Sequence, residues 1–147
     1  MWFLRGLADS DGSVYFKNRS VGIITSPNGK LVGNLLDSLK MHYYSGWSKG
    51  CMVVVISLKE AAQMQIFNPH VATHRRKALE KLVSAKTFQR RWPSWLEAKV
   101  QRLLKSGFEA AEISHRIYEE DDTFVRSHTI RRKAEVFHAK MRATAVI

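Results

Sequence analysis

The sequence predicts an α+β module followed by an all-helical domain, and three observations support this prediction. Two pairs of short segments in the first half are typical of antiparallel hairpins, because a turn signal separates the members of each pair. Segments with helical spacing of apolar residues surround these hairpins. Beyond residue 94 only the helical spacing remains. We therefore expect an αββαββα module at residues 1–85, a linker at 86–93 and a helical domain at 94–147.

The first module begins with a helix, because MWFLRGLAD is apolar at positions 3, 4, 7 and 8. SVYFK (13–17) alternates, Asn18-Arg19 suits a tight turn, and SVGIITS (20–26) is the expected partner strand. KLVGNLLDSLKMHY (30–43) returns to helical spacing and precedes a second hairpin, YYSGW and CMVVVIS (51–57). Two helices close the module, LKEAAQMQIF and HVATHRRKALEKLVSA. This order predicts an antiparallel sheet with helices on one face.

The second part begins after KTFQRRWPSW, a basic and aromatic stretch that holds Pro93 and that we interpret as a linker. Helices are expected at 94–107, 108–120 and 125–142. Their apolar residues predict one shared core: Val100, Leu103, Leu104, Ile113, Ile117, Ile130 and Phe137. The arrangement resembles a helix-turn-helix unit, with a turn, EEDDTF, longer than the usual one. A three-helix bundle with one basic face is the alternative.

The charge of the chain indicates a polyanionic partner. The 147 residues include 24 Lys and Arg against 13 Asp and Glu, a formal net charge of +11. Residues 68–147 hold 17 basic and 9 acidic groups, whereas the first 67 residues carry a net charge of +3. Nucleic acid is the first candidate partner and an anionic membrane surface is the second.

The cysteine count and the hydropathy limit the cellular compartments in which we expect this protein. One cysteine excludes an internal disulfide, and no apolar run approaches the roughly 18 residues of a membrane-spanning helix. We expect an intracellular protein, in the cytoplasm, the nucleoid or an organelle, with no membrane partner.

The stretch LRGLADSDG, residues 4–12, places two carboxylates at a helix end. Asp9 and Asp11 flank Ser10, and Gly12 lets the chain turn into the next strand. An acidic helix end is the alternative, but negative charge there opposes the helix macrodipole. Carboxylates with small neighbours can hold a hard divalent cation. Gly6 would let a second helix approach closely, since it has no side chain.

This stretch resembles the LAGLIDADG motif of homing endonucleases. Arg5, Ala8 and Ser10 depart from the motif, and the matching residues are Leu4, Gly6, Leu7, Asp9, Asp11 and Gly12. The predicted order of elements is also that of the family, so the resemblance covers residues 1 to about 84. It implies a site-specific DNA endonuclease that hydrolyses phosphodiester bonds with Mg²⁺ or Mn²⁺, the metal being bound by Asp11 and the carbonyl of Ser10.

The resemblance also implies a second copy of the motif helix, packed beside the first. We expect a homodimer on a near-palindromic site in double-stranded DNA, or a chain that is half of a two-motif protein. Asp9 would have a structural role, and the implied interface residues are Leu4, Gly6, Leu7 and Asp9. Residues that would assist the metal are Ser26, Lys30, His74 and Arg75. Phosphate contact or a solvated helix start is the alternative for residues 74–77.

The resemblance places the sheet over the DNA major groove. Val14 and Phe16 would then face the helices, and the groove would be met by Tyr15, Lys17 and Arg19 on the first strand and Val21, Ile23 and Thr25 on the second. A solvated strand face is the alternative. Further DNA contacts are expected from Lys49, Arg76 and the last helix, namely Ser127, His128, Thr129, Arg131 and Arg132.

Two functions therefore fit the sequence. The first is a metal-dependent endonuclease, and the second is a transcriptional regulator that binds DNA without cleaving it and combines a retired endonuclease fold with a helix-turn-helix. Retention of Asp11 favours the first, because a pure DNA binder has no need of a carboxylate facing phosphates. A basic interaction protein would explain neither the motif nor the charge.

Overall fold

The computed structural model describes residues 2–26, 29–88 and 91–144, and the chain divides into two compact units, Met1–Ser84 and Ala85–Ile147. The α+β class and the antiparallel sheet predicted for the first unit are confirmed. Its elements in chain order are α1 (Trp2–Asp11), β1 (Gly12–Tyr15), β2 (Ser20–Ile24), α2 (Gly29–Ser38), β3 (Tyr43–Ser48), β4 (Cys51–Ser57), α3 (Leu58–Gln63) and α4 (Thr73–Ser84).

The four strands form one antiparallel sheet in the order β1-β2-β4-β3. Val14 of β1 pairs with Val21, Val21 with Ile56, and Ile23 with Val54. Because directly paired residues lie on the same face of a sheet, these apolar side chains share one face. Val21, Ile23, Val54 and Ile56 are fully buried. They form the core together with Leu4 and Ala8 of α1 and Val32 and Leu36 of α2.

This register corrects the predicted phase of β2. Val21, Ile23 and Thr25 were expected to face DNA, but all three are buried, and the Thr25 hydroxyl donates to the Met52 carbonyl at 3.2 Å. The opposite face of β2 carries Gly22 and Ile24. The physical reason is the pairing of Val21 with Val14, which already faces the helices.

Two predicted elements end earlier than their sequence pattern suggests. β1 stops at Tyr15, and residues 16–19 form a loop in which the Arg19 N–H donates to the Phe16 carbonyl at 3.2 Å. Lys17 and Arg19 therefore lie on a loop and not on a strand. Helix α2 stops at Ser38 because Lys40 adopts a left-handed conformation (φ 54°), and the Met41 N–H then donates back to Leu36 at 3.0 Å.

The second unit is not purely helical. Its elements are β5 (Lys86–Thr87), α5 (Ser94–Lys105), α6 (Ala110–Asp121), β6 (Thr123–Phe124) and α7 (Ser127–Thr144). β5 and β6 pair in parallel. The segment 86–93, predicted as a linker, thus belongs to this unit, and residues 89 and 90 of it lie outside the described residues. Trp92 is 92% buried against Leu96, Val100 and their neighbours, so its aromatic surface holds the segment in the core.

The predicted core of the second unit is largely present. Val100, Leu103, Ile113, Ile117 and Ile130 are buried. Leu104 is partly buried, as is Phe137, whose ring lies under the Lys105 ammonium at 5.6 Å. Core residues missed from the sequence are Trp92, Leu96 and Val125.

A largely buried ammonium links α5 to the end of α6. Lys99 Nζ lies 2.8 Å from Glu120 and 2.5 Å from Asp121, and its side chain is only 14% exposed. Burial alone would lower the pKa of Lys99, but the bonds to Asp121 and Glu120 outweigh it and raise that pKa. The same contact lowers the pKa of Glu120.

The structural boundary changes the charge balance inferred from the sequence. Up to Ser84 the chain has eleven basic and five acidic side chains, and from Ala85 onward it has thirteen and eight. The net charges are therefore +6 and +5, so the positive charge is shared almost equally by the two units and is not concentrated in the second.

Candidate metal site and nucleic-acid interface

The carboxylate of Asp11 lies exposed at the last residue of α1, where the chain enters the sheet. Ser10 Oγ donates to Asp11 Oδ2 at 3.0 Å, so the neighbouring hydroxyl orients the carboxylate. Gly12 follows directly, and a Cβ at this position would lie 2.4 Å from the Ala8 carbonyl oxygen. Only glycine therefore allows β1 to start this close to the helix.

Arg75, at the start of α4, binds the backbone at the end of α1. Its guanidinium donates to the carbonyls of Ala8 at 3.2 Å and Ser10 at 3.3 Å, and also to that of Asp9. These are orphan carbonyls of a helix C-terminus, where a cation is favourable. Arg75 thus offsets the adverse effect of the acidic helix end and fixes the backbone that carries Asp11.

Asp9 is hydrogen-bonded within its own chain. Its Oδ1 accepts the Asn68 N–H at 2.8 Å, in the connection between α3 and α4. One turn earlier, Arg5 donates to the carbonyls of Gln65 at 3.0 Å and Met64 at 3.3 Å. Arg5 and Asp9 stand four residues apart on one helical stripe, so both face the connection between α3 and α4. Nothing local in the sequence signals these contacts, which span about 60 positions.

The outward face of α1 differs from the one predicted for a dimer. Leu4 is fully buried against the sheet and Asp9 is bonded within its own chain, so neither is free to meet a second helix. Gly6 is exposed with open space around it, and Leu7 is half-buried. The large exposed apolar side chains of this helix are instead Trp2 (80% exposed) and Phe3 (44%), which the motif did not mark as interface residues.

Residues 3, 6, 7 and 10 follow the spacing of a single helical stripe. This outer stripe of α1, defined as Phe3, Gly6, Leu7 and Ser10, is apolar except at its end. A glycine in the middle of a helix costs about 0.5–1 kcal/mol relative to alanine. Because no atom of its own chain crowds Gly6, the described structure contains no internal reason for that glycine.

The predicted assisting residues lie at the Asp11 end of the sheet. Gly12 pairs with Ile23, so β2 ends beside the start of β1, and Ser26 follows it as an exposed turn residue. Lys30 is exposed in the first turn of α2. The start of that helix is held at the same end, since a Cβ on Gly29 would lie 1.9 Å from Met52 Sδ. His74 is exposed beside Arg75.

The remaining predicted DNA contacts of the first unit fall into two groups. Lys17, on the 16–19 loop, and Lys49, at the β3–β4 turn, are exposed, and Tyr15 is 38% exposed on the sheet face away from the helices. Arg76 instead pairs with Glu80 on its own helix at 2.7 Å. Arg76 is therefore engaged within α4, whereas Arg75 binds the end of α1.

Helix α7 carries a basic stripe in the second unit. His128, Arg131 and Arg132 are exposed at positions i, i+3 and i+4, whereas Ser127 and Thr129 are half-buried. Lys133 is engaged inside the unit, where it binds Glu97 and lies 4.3 Å from the Trp92 ring. His128, Arg131 and Arg132 are therefore exposed in the first two turns of this helix.

Within one chain, the described residues do not bring several metal-binding side chains together. No cluster of three or more His, Cys, Asp or Glu side chains occurs among the residues described here. None of the helices in those ranges combines the length and apolar character needed to cross a membrane. Comparisons with protein-family models, with curated proteins and with solved structures find no match to this chain.

Proposed function

We propose that this chain is a site-specific DNA endonuclease of the LAGLIDADG type, which acts as a homodimer with Mg²⁺ or Mn²⁺. The observation that carries the proposal is the exposed Asp11 carboxylate, held by Ser10 and by the Arg75-bound helix end at the edge of an open sheet. The resemblance of residues 4–12 to the family motif and the αββαββα order support the same assignment.

The residues at this position fit a metal shared between two copies of the chain. One copy supplies the Asp11 carboxylate, and Mg²⁺ is commonly held by one or two carboxylates together with waters and substrate phosphates. The Ser10 carbonyl has two lone pairs and receives one long bond from Arg75, so it can serve as a further ligand. A divalent cation bound there would activate water and stabilise the leaving oxygen.

Residues of the chain itself would bind and orient the substrate. Lys30 and His74 are exposed at the Asp11 end of the sheet, where they can contact phosphates next to the scissile bond. Arg75 would keep the Asp11 carboxylate in place, because it fixes the backbone on which that side chain stands. Ser26 offers an exposed hydroxyl at the same end.

The outer stripe of α1 would form the contact between the two copies. Gly6 lets two helix backbones approach, and Phe3 and Leu7 supply the apolar area around it. Such packing would bring the two copies of Asp11 to the ends of adjoining helices. The unit formed by α5, α6 and α7 would add a helix-turn-helix contact to DNA through His128, Arg131 and Arg132.

A cleavage assay tests the proposal. Duplexes that the protein selects from a random-sequence library are incubated with it and Mg²⁺, beside the Asp11→Asn variant. We expect cleavage by the wild type and its loss in the variant, with binding retained by both. If the wild type binds the selected duplex tightly but does not cleave it, the endonuclease proposal is refuted.

A second variant tests the dimer. Gly6→Leu adds a side chain into open space on the protomer, so the fold should be retained, while helix–helix approach should be blocked. We expect a monomer by analytical ultracentrifugation and loss of cleavage. A wild-type chain that is monomeric on its DNA and still cleaves would refute the shared site.

A DNA-binding regulator without cleavage activity is the second candidate. It is favoured by one specific observation, the presence of a permanent cation, Arg75, bonded to the carbonyl proposed as a metal ligand. In that case the guanidinium would provide the positive charge at the helix end. The cleavage assay separates the two, because the regulator binds the selected duplex equally well with and without Mg²⁺ and leaves it intact.

A further inference from the structure

The open face of the sheet, opposite the helices, has an unusual composition. On this face the strand register pairs Ser13 with Gly22 and Tyr15 with Ser20. It also pairs Val53 with Ile24 and Val55 with Gly22. On β3 the same face carries Tyr44 and Gly46. None of the residues in the four described strands β1–β4 is charged or carries an amide side chain.

Two tyrosines cover two glycines on this face. A Cβ on Gly22 would lie 2.3 Å from the Tyr15 ring, and a Cβ on Gly46 would lie 3.1 Å from the Tyr44 ring. Tyr15 and Tyr44 stand on the two edge strands, with Ile24 (43% exposed) and the half-buried Val55 between them, while Val53 is buried beneath this surface. The open face is therefore a smooth aromatic and aliphatic surface.

Among the described residues, positive charge lies at the two ends of this surface and not on its strands. Lys17 stands on the loop at one end of the strands, and Lys49 and Lys30 stand at the other end. A seven-residue strand such as β4 is about 23 Å long. Basic groups at both ends of an uncharged face complement a ligand in which charged groups flank an uncharged centre. Duplex DNA is such a ligand, because phosphates flank the uncharged base edges of each groove.

The major groove presents few features that such a face can recognise. Guanine is recognised mostly by Arg or Lys, adenine by Asn or Gln, and cytosine by Asp or Glu, and the four strands supply none of these. Their serines, such as the exposed Ser13, can bond to several bases and so distinguish them little. The thymine C5-methyl group is the one base feature that apolar side chains contact. We propose, building on the proposed function, that the open face selects target sites by contacting thymine methyl groups through Ile24, Tyr15 and Tyr44.

Ile24 has a special place among these three residues. It follows Ile23, the partner of Gly12, and so lies at the Asp11 end of the sheet. Its side chain would contact the thymine closest to the cleaved bond. Tyr15 and Tyr44 would contact base pairs farther from it.

Replacement of thymine by uracil tests the proposal, because it removes the methyl group and leaves the hydrogen-bonding pattern unchanged. The full-length protein first selects duplexes from a random-sequence library made with thymine, and its affinity is then measured for each selected duplex and its uracil counterpart. We expect selected sites enriched in thymine and an affinity loss of about fourfold for each contacted methyl group. The Ile24→Ala variant should show no affinity difference between thymine and uracil at one position of the site. The Lys17→Gln variant should bind the thymine duplex and its uracil counterpart more weakly by the same factor.

The possible results separate the two proposals. Equal affinity for thymine and uracil duplexes, with cleavage retained, would overturn methyl recognition and leave the endonuclease intact. Failure to select any duplex would overturn both proposals. A dimer that forms without DNA and is lost in Ile24→Ala would assign the face to a second copy of the chain and overturn methyl recognition.

Discussion

The bond between Arg75 and the end of α1 leads to a prediction about stability. We compare Arg75→Met with Arg76→Met, because methionine keeps an apolar stem and removes the guanidinium in both variants. Arg75 donates to three carbonyls of α1, which lie more than 60 positions earlier in the chain. Arg76 makes one ion pair with Glu80 within its own helix.

From the structure we expect Arg75→Met and Arg76→Met to lower the free energy of unfolding by different amounts. A hydrogen bond from a charged group contributes about 1.5–3 kcal/mol, but the three bonds share one half-exposed side chain and do not add fully. With the favourable effect of a cation at a helix C-terminus, we expect Arg75→Met to lower the free energy of unfolding by about 2–4 kcal/mol. An i,i+4 surface pair contributes about 0.3–0.5 kcal/mol, which is the loss expected for Arg76→Met.

Urea denaturation of the full chain measures the two losses, and hydrogen exchange of peptides from β1 and β2 assigns them to the first unit. For a unit of this size, each kcal/mol shifts the melting temperature by about 4–8 °C, so the difference is easily resolved. Arg75→Lys should give an intermediate loss in the free energy of unfolding, since lysine keeps the positive charge but lacks the guanidinium that donates to several carbonyls at once. If Arg75→Met is no more destabilising than Arg76→Met, the guanidinium does not hold α1 and our account of Asp11 placement fails.

Three further predictions concern single contacts. Asp9→Ala should destabilise the first unit by about 1–3 kcal/mol, measured by urea unfolding, because the half-buried Asn68 N–H loses its acceptor. Trp92→Ala should cost the second unit about 3–5 kcal/mol in the same assay, because it empties part of the core. The lowered pKa of Glu120 adds stability that is present above its ordinary pKa of 4.5 and is lost as the pH falls through the lowered value. Fluorescence-detected unfolding from about pH 6 to about pH 3 should therefore show an acid-induced loss that is smaller in Lys99→Met.

Each of these predictions has a matched control. Asp11→Asn should leave the first unit as stable or slightly more so, because it removes a negative charge from a helix C-terminus; equal losses for Asp9→Ala and Asp11→Asn would contradict the assigned roles. Trp95→Ala, at a side chain 43% exposed, should cost much less than Trp92→Ala. An acid-induced loss of the same size in Lys99→Met and the wild type would exclude the Lys99 contact as its source.

The order of helices and strands could be predicted because its signals are local. Lys49-Gly50 adopts positive φ angles at the turn between β3 and β4, as does Gly107 after α5. Glycine adopts such conformations at low cost in any protein, so Gly50 and Gly107 make these turns visible in the sequence, whereas Lys49 alone gives no such signal. The exposed position of Asp11 also follows from its place at a helix end, while its metal binding stays a prediction.

The parts that could not be predicted depend on distant contacts. In SVGII no polar residue marks the outer face, and Gly22 is hidden by Tyr15, so the inward phase of β2 depends on its pairing with Val14. The bond of Arg75 to α1 spans more than 60 positions, and no local pattern distinguishes it from Arg76. Trp92 resembled a linker residue because basic residues and Pro93 surround it.

The uncharged sheet has a consequence for the protein when no ligand is present. β3 is an edge strand, its free backbone groups face outward, and Tyr44 and Trp47 on it are 72% and 75% exposed. Edge strands are usually protected from pairing with other chains by charged residues, prolines or bulges, and YYSGWS holds no charge and no proline. A face suited to base methyl groups thus leaves an edge open to aggregation. Ser45→Lys on that strand should improve solubility without touching the open face.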